Sequence, residues 1–530
     1  MRRVTWAVAT VCLVLAAVLA GPAAGPGSHA AVTCSHSAVP FCWPSSVSAN
    51  GRYLLDQTGQ PYMIAGDSPQ SLIGELSESE ASTYFADRQA HGINSAWINL
   101  LCTQYTGCGG NGSTYDGIKP FNGTGSNPFA NPNPAYFKRA DDMIRLAAAH
   151  GITVFLDPAE TGGWLGEIDT AGAVNDFNYG VYLGDRYKVF PNIIWMNGND
   201  FESWHNSVDD ANVQAITRGI KSVDTNHIQT VELNYHVSSS LDDHTWASFI
   251  KLNDVYTYYP TYAEVLHAYD QSPTVPVFMG EANYENEDYD GHETGGPYVL
   301  RLQEYWTMTS GAAGQLYGNH DTWDDGTDWA HESTHLDTAG VAQLDIVLAF
   351  FNSLAWYNLV PDQAHSFLTA GYGTFESTGY VQGNNYVTAA LTSDGTAGVI
   401  YLPTSRTITV NLAKMSGAVT AKWFDPTNGG YTTIGTFANT GTHQFTSPPA
   451  HSDGSDDWVL LLRTSSSPTP LPTATTTPTS TPSPGSTSQT PRATPSGQQG
   501  LLDVILAAIG LLLIAAVVVH AARSRGRGNR

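Results

Sequence analysis

Between about residue 60 and residue 320 the chain alternates between short apolar runs and longer segments whose apolar positions recur every three or four residues. The runs at 62–66, 95–100, 153–157, 193–196, 228–232, 255–257, 277–280 and 315–317 are mostly too short and too continuous for amphipathic helices. They read as strands buried on both faces, the pattern of a parallel sheet. Helical segments lie between them. Ser77-Glu78-Ser79-Glu80 has the spacing of a capping box, and the helix it opens ends at His91-Gly92. Asn133-Pro134 opens a second, with Tyr136, Phe137, Ala140, Met143, Ile144 and Ala147 on one face and Gly151 as its stop. A third starts at Ser207 and turns Val213, Ile216, Ile220 and Val223 inward. Eight strand–helix repeats predict an α/β fold, a (β/α)8 TIM barrel over residues 48–362. An open doubly wound sheet would carry a Gly-rich phosphate loop after the first strand, and none is present.

After Pro361 the period changes. Strand-like runs at 379–389, 397–402, 407–411, 419–424 and 458–462, separated by Gly, Asn, Thr and Pro, predict a β-sandwich over 363–463. Residues 464–499 are dominated by Ser, Thr and Pro, a composition that builds no core and suits an extended stalk. Residues 500–522 form a nearly unbroken apolar stretch of transmembrane length, and 523–530 carry four arginines and no acid. At the other end, Arg2-Arg3, the apolar run after them and small residues near Ala30 make residues 1–30 a signal peptide. The expectation is an exported, single-pass type I membrane protein with its ectodomain outside the cell.

Charge narrows the partners. Over residues 31–463 there are 16 basic and 47 acidic side chains, a stronger imbalance than the −25 of the whole chain. Nucleic acid would be repelled. Four cysteines follow the leader, and four allow three pairings. Nearest-neighbour bonding, Cys34–Cys42 and Cys102–Cys108, closes two short loops and fits an oxidising exterior.

Chemistry in such a barrel belongs at the C-terminal ends of the strands. The first two strands end at Asp67 and Asn99, the third at Asp157 with Glu160, the fourth at Asn199-Asp200, and the fifth at Glu232 and Asn234. Tyr258 and Tyr259 end the sixth, Glu281 and Glu285 the seventh, and Asn319, His320 and Asp321 the eighth; Trp164, Tyr284 and Trp323 lie close by. Carboxylates among aromatic rings suit glycosidic cleavage: one acid protonates the leaving oxygen, a second carboxylate attacks the anomeric carbon or activates water, and rings stack on the sugar. Asp200 and Glu281, on strands four and seven, form the best catalytic pair. Asp67, Asn99, Glu160, Trp164, Asn199, Tyr258, Tyr284, Glu285, His320 and Trp323 are the candidate sugar contacts. Neither a metal nor a cofactor is called for by that chemistry.

The stretch Asn50-Gly51-Arg52-Tyr53-Leu54-Leu55-Asp56, with Gly59-Gln60-Pro61 and Gly66-Asp67-Ser68, resembles the start of the apiosidase-like (β/α)8 glycoside hydrolases, family 140. The resemblance continues through His91-Gly92-Ile93-Asn94, Asn192-Ile193-Ile194-Trp195, Gly198-Asn199-Asp200, Gly280-Glu281 and Gly314-Gln315-Leu316-Tyr317-Gly318, and covers residues 48–362. The C-terminal module, with Trp423-Phe424-Asp425-Pro426 and Asp457-Trp458-Val459-Leu460, is similar to the domain that follows such barrels. The resemblance implies a retaining exo-type glycosidase on polysaccharide side chains, with Asp200 as general acid/base and Glu281 as nucleophile. Two other readings stand beside it: a surface adhesin whose barrel binds glycan without cutting it, and a zinc metallohydrolase through His331-Glu332-Ser333-Thr334-His335, an HExxH match that falls in an Asp/Gly-rich loop rather than on an obvious helix.

Overall fold

A short antiparallel meander, β1 (Pro44–Val47), β2 (Leu54–Asp56) and β3 (Pro61–Tyr62), leads into the barrel strands. A computed structural model describes residues 41–122, 127–287, 293–323 and 333–465. The signal peptide, Cys34, the stalk beyond 465, the apolar 500–522 stretch and the basic tail therefore lie outside the described residues. Among the described residues no helix is long and apolar enough to cross a membrane.

Eight parallel strands follow the meander: β4 (Ile64–Asp67), β5 (Ser95–Asn99), β6 (Thr153–Asp157), β7 (Ile193–Asn197), β8 (Gln229–Val231), β10 (Asn253–Thr257), β11 (Val277–Glu281) and β12 (Gly314–Tyr317). All eight fall on the apolar runs of the sequence. They join in the order β8-β7-β6-β5-β4-β12-β11-β10. The expected closed ring is corrected at one place. Strand β9 (Val237–Ser239), unforeseen in the sequence, pairs antiparallel with β10 and takes the edge that β8 would otherwise occupy, so the nine-stranded sheet curls without a continuous ladder between β8 and β10. Single hydrogen bonds cross the gap. The Lys251 amide donates to the Gln229 carbonyl at 3.0 Å, and the Ser240 hydroxyl donates to Val231 O (2.5 Å) while accepting from Asp254 N (2.8 Å).

Side-chain parity along these strands sorts the core. Ile64, Trp97, Phe155, Ile194, Met196, Phe278 and Leu316 point to the barrel axis and pack over Leu54 and Tyr62 of the meander, which plugs the base. The opposite faces meet the helices α1 (Leu72–Glu75), α2 (Glu78–Ala90), α3 (Pro134–Ala149), α4 (Thr161–Tyr187), α5 (Ser207–Val223), α6 (Thr261–Asp270) and α7 (Pro297–Thr309). The Ser77–Glu80 capping box forms, and the six apolar positions read for α3 are all buried. Helix α4, not read from the sequence, breaks at Gly172, whose φ of 70° is left-handed.

The chain then forms α8 (His320–Trp323), α9 (Ser333–Leu336) and α10 (Ala339–Asn352) before the sandwich. One sheet runs β13 (Leu359–Pro361), β15 (Thr388–Thr392), β16 (Ala397–Leu402), β21 (Trp458–Thr464), β18 (Val419–Asp425) and β19 (Gly430–Phe437); the other pairs β14 (Leu368–Ala370), β17 (Thr407–Asn411) and β20 (Thr442–Thr446). The strand expected at 379–389 is mostly irregular backbone, with Gly379 and Gly383 both at positive φ, and the strand begins only at Thr388. The larger sheet is covered twice. Ile400, Leu402, Leu460 and Leu462 face the second sheet, whereas Val399, Tyr401, Val459 and Leu461 pack on Tyr305, Trp306, Phe350 and Phe351 of α7 and α10. Arg301 of α7 clamps Asp457 with Nε and Nη2 at 3.1 and 3.0 Å, a buried bidentate pair across this junction.

Candidate active site

The loop after β7 runs Gly198-Asn199-Asp200 with φ of 106°, 68° and 51°. Two consecutive non-glycine residues in the left-handed region are costly, and such conformations persist where surrounding contacts over-determine them. The turn delivers Asp200 to the wall of a cavity of about 430 Å³ at the C-terminal mouth of the barrel, toward the small end of the usual range for ligand pockets. Glu281, at the end of β11, opens onto the same cavity from across the mouth.

A bulge puts Glu281 there. Val255 of β10 pairs with Met279, but the next residue, Tyr256, pairs with Glu281, so Gly280 is an extra residue on β11. One inserted residue reverses side-chain parity. Without it Glu281 would follow Val277 and Met279 outward; with it, Glu281 faces inward beside Tyr256. Gly280 must be glycine, because a Cβ would lie 2.0 Å from Asp254 Oδ1.

Tyrosines hold both carboxylates. The Tyr105 hydroxyl donates to Asp200 Oδ2 at 2.6 Å. Tyr258 and Tyr284 donate to the two oxygens of Glu281 at 2.5 and 2.9 Å, and Tyr256 in turn donates to the Tyr258 hydroxyl at 3.3 Å. Gln70 spans the floor, donating to the Tyr284 hydroxyl and accepting from Asn199 Nδ2, each at 3.3 Å. Burial raises the pKa of both acids: for Glu281 the charge of Asp200 adds to it, and for Asp200 that of Glu287 does. Two such groups titrate as a pair, and both hold protons more tightly than isolated carboxylates do. Among the described residues the cavity wall bears no Lys, Arg or His, and Glu202 and Glu287 add two further acids.

Residues 48–358, more than half of the chain, match the family model described as "Apiosidase-like, catalytic domain". The chain belongs to the apiosidase-like family. Its catalytic domain makes it a glycosidase. Residues 377–463 match a second model, "Putative collagen-binding domain of a collagenase". No curated protein matches the chain. Among solved structures, one described as a glycoside hydrolase is 22% identical with a TM-score of 0.68, covering 80% of this chain and 98% of its own. A glycoside hydrolase family 5 structure from Bacteroides vulgatus ATCC 8482 is 21% identical with a TM-score of 0.67, covering 81% and 97%. These two likenesses bear on fold alone.

Of the candidate residues in the apiosidase-like domain, Asp200, Glu281, Asn199, Tyr258, Tyr284 and Trp323 line the cavity. The others do not. Asp67 keeps outward parity: β4 pairs with β12 in unbroken register, and its carboxylate is 0% exposed, bound by Arg88 Nε and the Tyr84 hydroxyl, each at 2.6 Å. Asn99 lies below the floor, donating to Glu160 at 3.1 Å and Asn199 at 3.2 Å. Glu160 is buried among Thr103, Thr106 and Asn99, and burial pushes its pKa up to about 7. Trp164 packs on Phe121 and Phe129 beneath a neighbouring groove. Glu285 ties the β11 loop to the start of α10, accepting from Gly340 N (2.8 Å), the Thr338 hydroxyl (2.6 Å) and the Tyr317 hydroxyl. His320, on α8, lies outside the lining, its amide bonded to Glu285 O at 2.8 Å. The HExxH reading rests on His331 and Glu332, which lie outside the described residues.

Sequence reasoning missed Gln70, Tyr105, Thr106, Glu202, Tyr235, Tyr256 and Glu287 on the wall. Tyr256 was within reach, two residues before Tyr258. Tyr105 carries no periodic signal: it sits in the loop closed by the Cys102–Cys108 disulfide, the one expected cysteine pairing that falls wholly within the described residues.

Proposed function

We propose that this chain is a retaining exo-acting glycosidase on terminal sugars of polysaccharide side chains, with Asp200 as general acid/base and Glu281 as nucleophile. The observation that carries the reading is that the two acids, from opposite sides of the barrel mouth, share one tyrosine-lined cavity and a raised proton affinity. In the first half-reaction Glu281 attacks the anomeric carbon while Asp200 donates its proton to the leaving oxygen; in the second Asp200 takes a proton from water, which releases the sugar from Glu281. The tyrosines around Glu281 hold it in one orientation while its charge passes into the new bond. A wall with four carboxylates and no described cation favours neutral sugars over uronates. Export and tethering by a single C-terminal helix follow from the apolar runs at 1–30 and 500–522 and complete the proposal as a surface-anchored enzyme.

The test is product release from a panel of neutral and acidic plant and bacterial polysaccharides, repeated with Asp200→Asn and Glu281→Gln. Each variant is expected to lose at least about a thousandfold in kcat while keeping its unfolding temperature. Fresh product of retained anomeric configuration by NMR supports the double displacement, and inverted product overturns it. Binding of a glycan by wild type with no turnover anywhere in the panel would replace the enzyme by an adhesin.

A further inference from the structure

Beneath the catalytic pair sits a third carboxyl group that the mechanism above does not use. Glu232, at the end of β8, is 1% exposed, and its Oε2 accepts the backbone N–H of Asp200 at 3.0 Å. Its own amide is bonded to Asn197 O at 2.8 Å, and Phe201 N to Leu233 O at 3.1 Å, so the two loops run side by side. Gly198 is pressed against the same residue: a Cβ there would stand 2.1 Å from Glu232 O. The left-handed run from Gly198 to Asp200 is thus clasped on both sides by the chain around Glu232, and the Glu232 carboxyl is the side chain that holds Asp200 from below.

We propose that Glu232 is a positioning residue for Asp200: by accepting the Asp200 amide hydrogen it holds the strained turn that aims the Asp200 carboxyl into the cavity. The proposal rests on the reading of Asp200 as the acid/base. Burial, and then the charges of Glu281, Asp254 and Asp200, drive the Glu232 pKa well up, which favours its neutral form beneath the catalytic pair. A neutral acceptor can hold the turn without adding a charge that would compete with Glu281 for the substrate's developing positive centre. An amide oxygen would serve the purpose equally well, and that distinguishes this role from acid–base chemistry.

The experiment compares Glu232→Gln, Glu232→Asp and Glu232→Leu with Asp200→Asn in the full chain, on whichever glycan the panel shows wild type to cleave. Glu232→Gln keeps an acceptor at the same reach and is expected to stay within about threefold of wild-type kcat, with both limbs of the pH profile unmoved. Glu232→Leu removes the acceptor and Glu232→Asp withdraws it by one methylene. Both are expected to lower kcat about 10- to 100-fold at nearly constant KM. If Leu disrupts folding, the Asp–Gln contrast alone decides. Wild-type kcat in Glu232→Asp beside an inactive Asp200→Asn would overturn the proposal. So would a Glu232→Gln as impaired as Glu232→Asp, since an ionised or proton-donating Glu232 would then be required. An active Asp200→Asn would instead remove the acid/base reading on which the proposal depends.

Discussion

Asp67→Asn separates a structural role from a sugar-binding one. In the folded chain Asp67 and Arg88 are 0% and 1% exposed and meet at 2.6 Å. The substitution keeps the shape, and the amide oxygen can still accept from Tyr84, but the Arg88 guanidinium loses its buried counter-charge. What remains to it is Asp87, near the surface, and the Leu336 carbonyl. Removing one partner of a buried pair costs about 3–5 kcal/mol. With about 2.1 cal/mol/K of unfolding entropy per residue over the roughly 420 residues of barrel and sandwich, that is about 3–6 °C in Tm. Calorimetry of wild type, Asp67→Asn and the double variant Asp67→Asn/Arg88→Met measures it, and the double variant should recover part of the loss because the stranded charge is gone. At 25 °C, where each variant is folded, kcat and KM should stay within about twofold of wild type. An unchanged Tm with a KM raised tenfold would refute the reasoning and return Asp67 to the sugar.

Three further outcomes are expected. Tyr105→Phe removes a hydrogen bond that favours ionised Asp200, so the Asp200 pKa rises further and the alkaline limb of kcat/KM moves to higher pH; a move to lower pH would show that Asp200 is not the group titrating there. Asp176 on α4 is buried, accepts no hydrogen bond among the described residues, and has its pKa raised to about 8 by burial and by Asp169. The folded state therefore holds a proton that the unfolded state releases near pH 4, and stability falls as pH climbs from there to about 8; Asp176→Asn should flatten that slope in Tm and raise Tm at pH 8. Gly280→Ala drives a Cβ into Asp254 and should abolish turnover through misdirection of Glu281, which a fall in kcat larger than any loss of unfolding temperature would register.

Strands buried on both faces announce themselves by unbroken apolar runs, and that is why all eight parallel strands, as well as β16 and β21, were legible. Strand β9 is three residues, Val-Ser-Ser, with too little apolar content to register. Strand β19 is exposed along most of its length, so Tyr431 and Ile434 sit among threonines with no inward face to reveal it. The Gly379–Ala389 stretch misled in the opposite direction: Val381, Tyr386 and Val387 are buried, but as irregular chain between glycine turns.

The cavity at the barrel mouth was legible in the same measure and for a related reason. A strand end can be located from the sequence, but which way its last side chain points depends on register, and register can change by one residue without any change in composition. Asp67 and Glu281 occupy equivalent places: each ends its strand and each follows a glycine. On β4 the ladder with β12 runs true from Ile64 to Asp67, so Asp67 shares the outward face of Ala65 and meets the helix-layer residues Tyr84 and Arg88. On β11 the extra residue at Gly280 reverses the parity, and Glu281 turns in toward Tyr256 and Tyr258. Gly-Asp-Ser and Gly-Glu-Ala read alike along the chain. One makes a buried ion pair and the other a cavity wall, and the difference between them is a single unpaired residue in the neighbouring ladder.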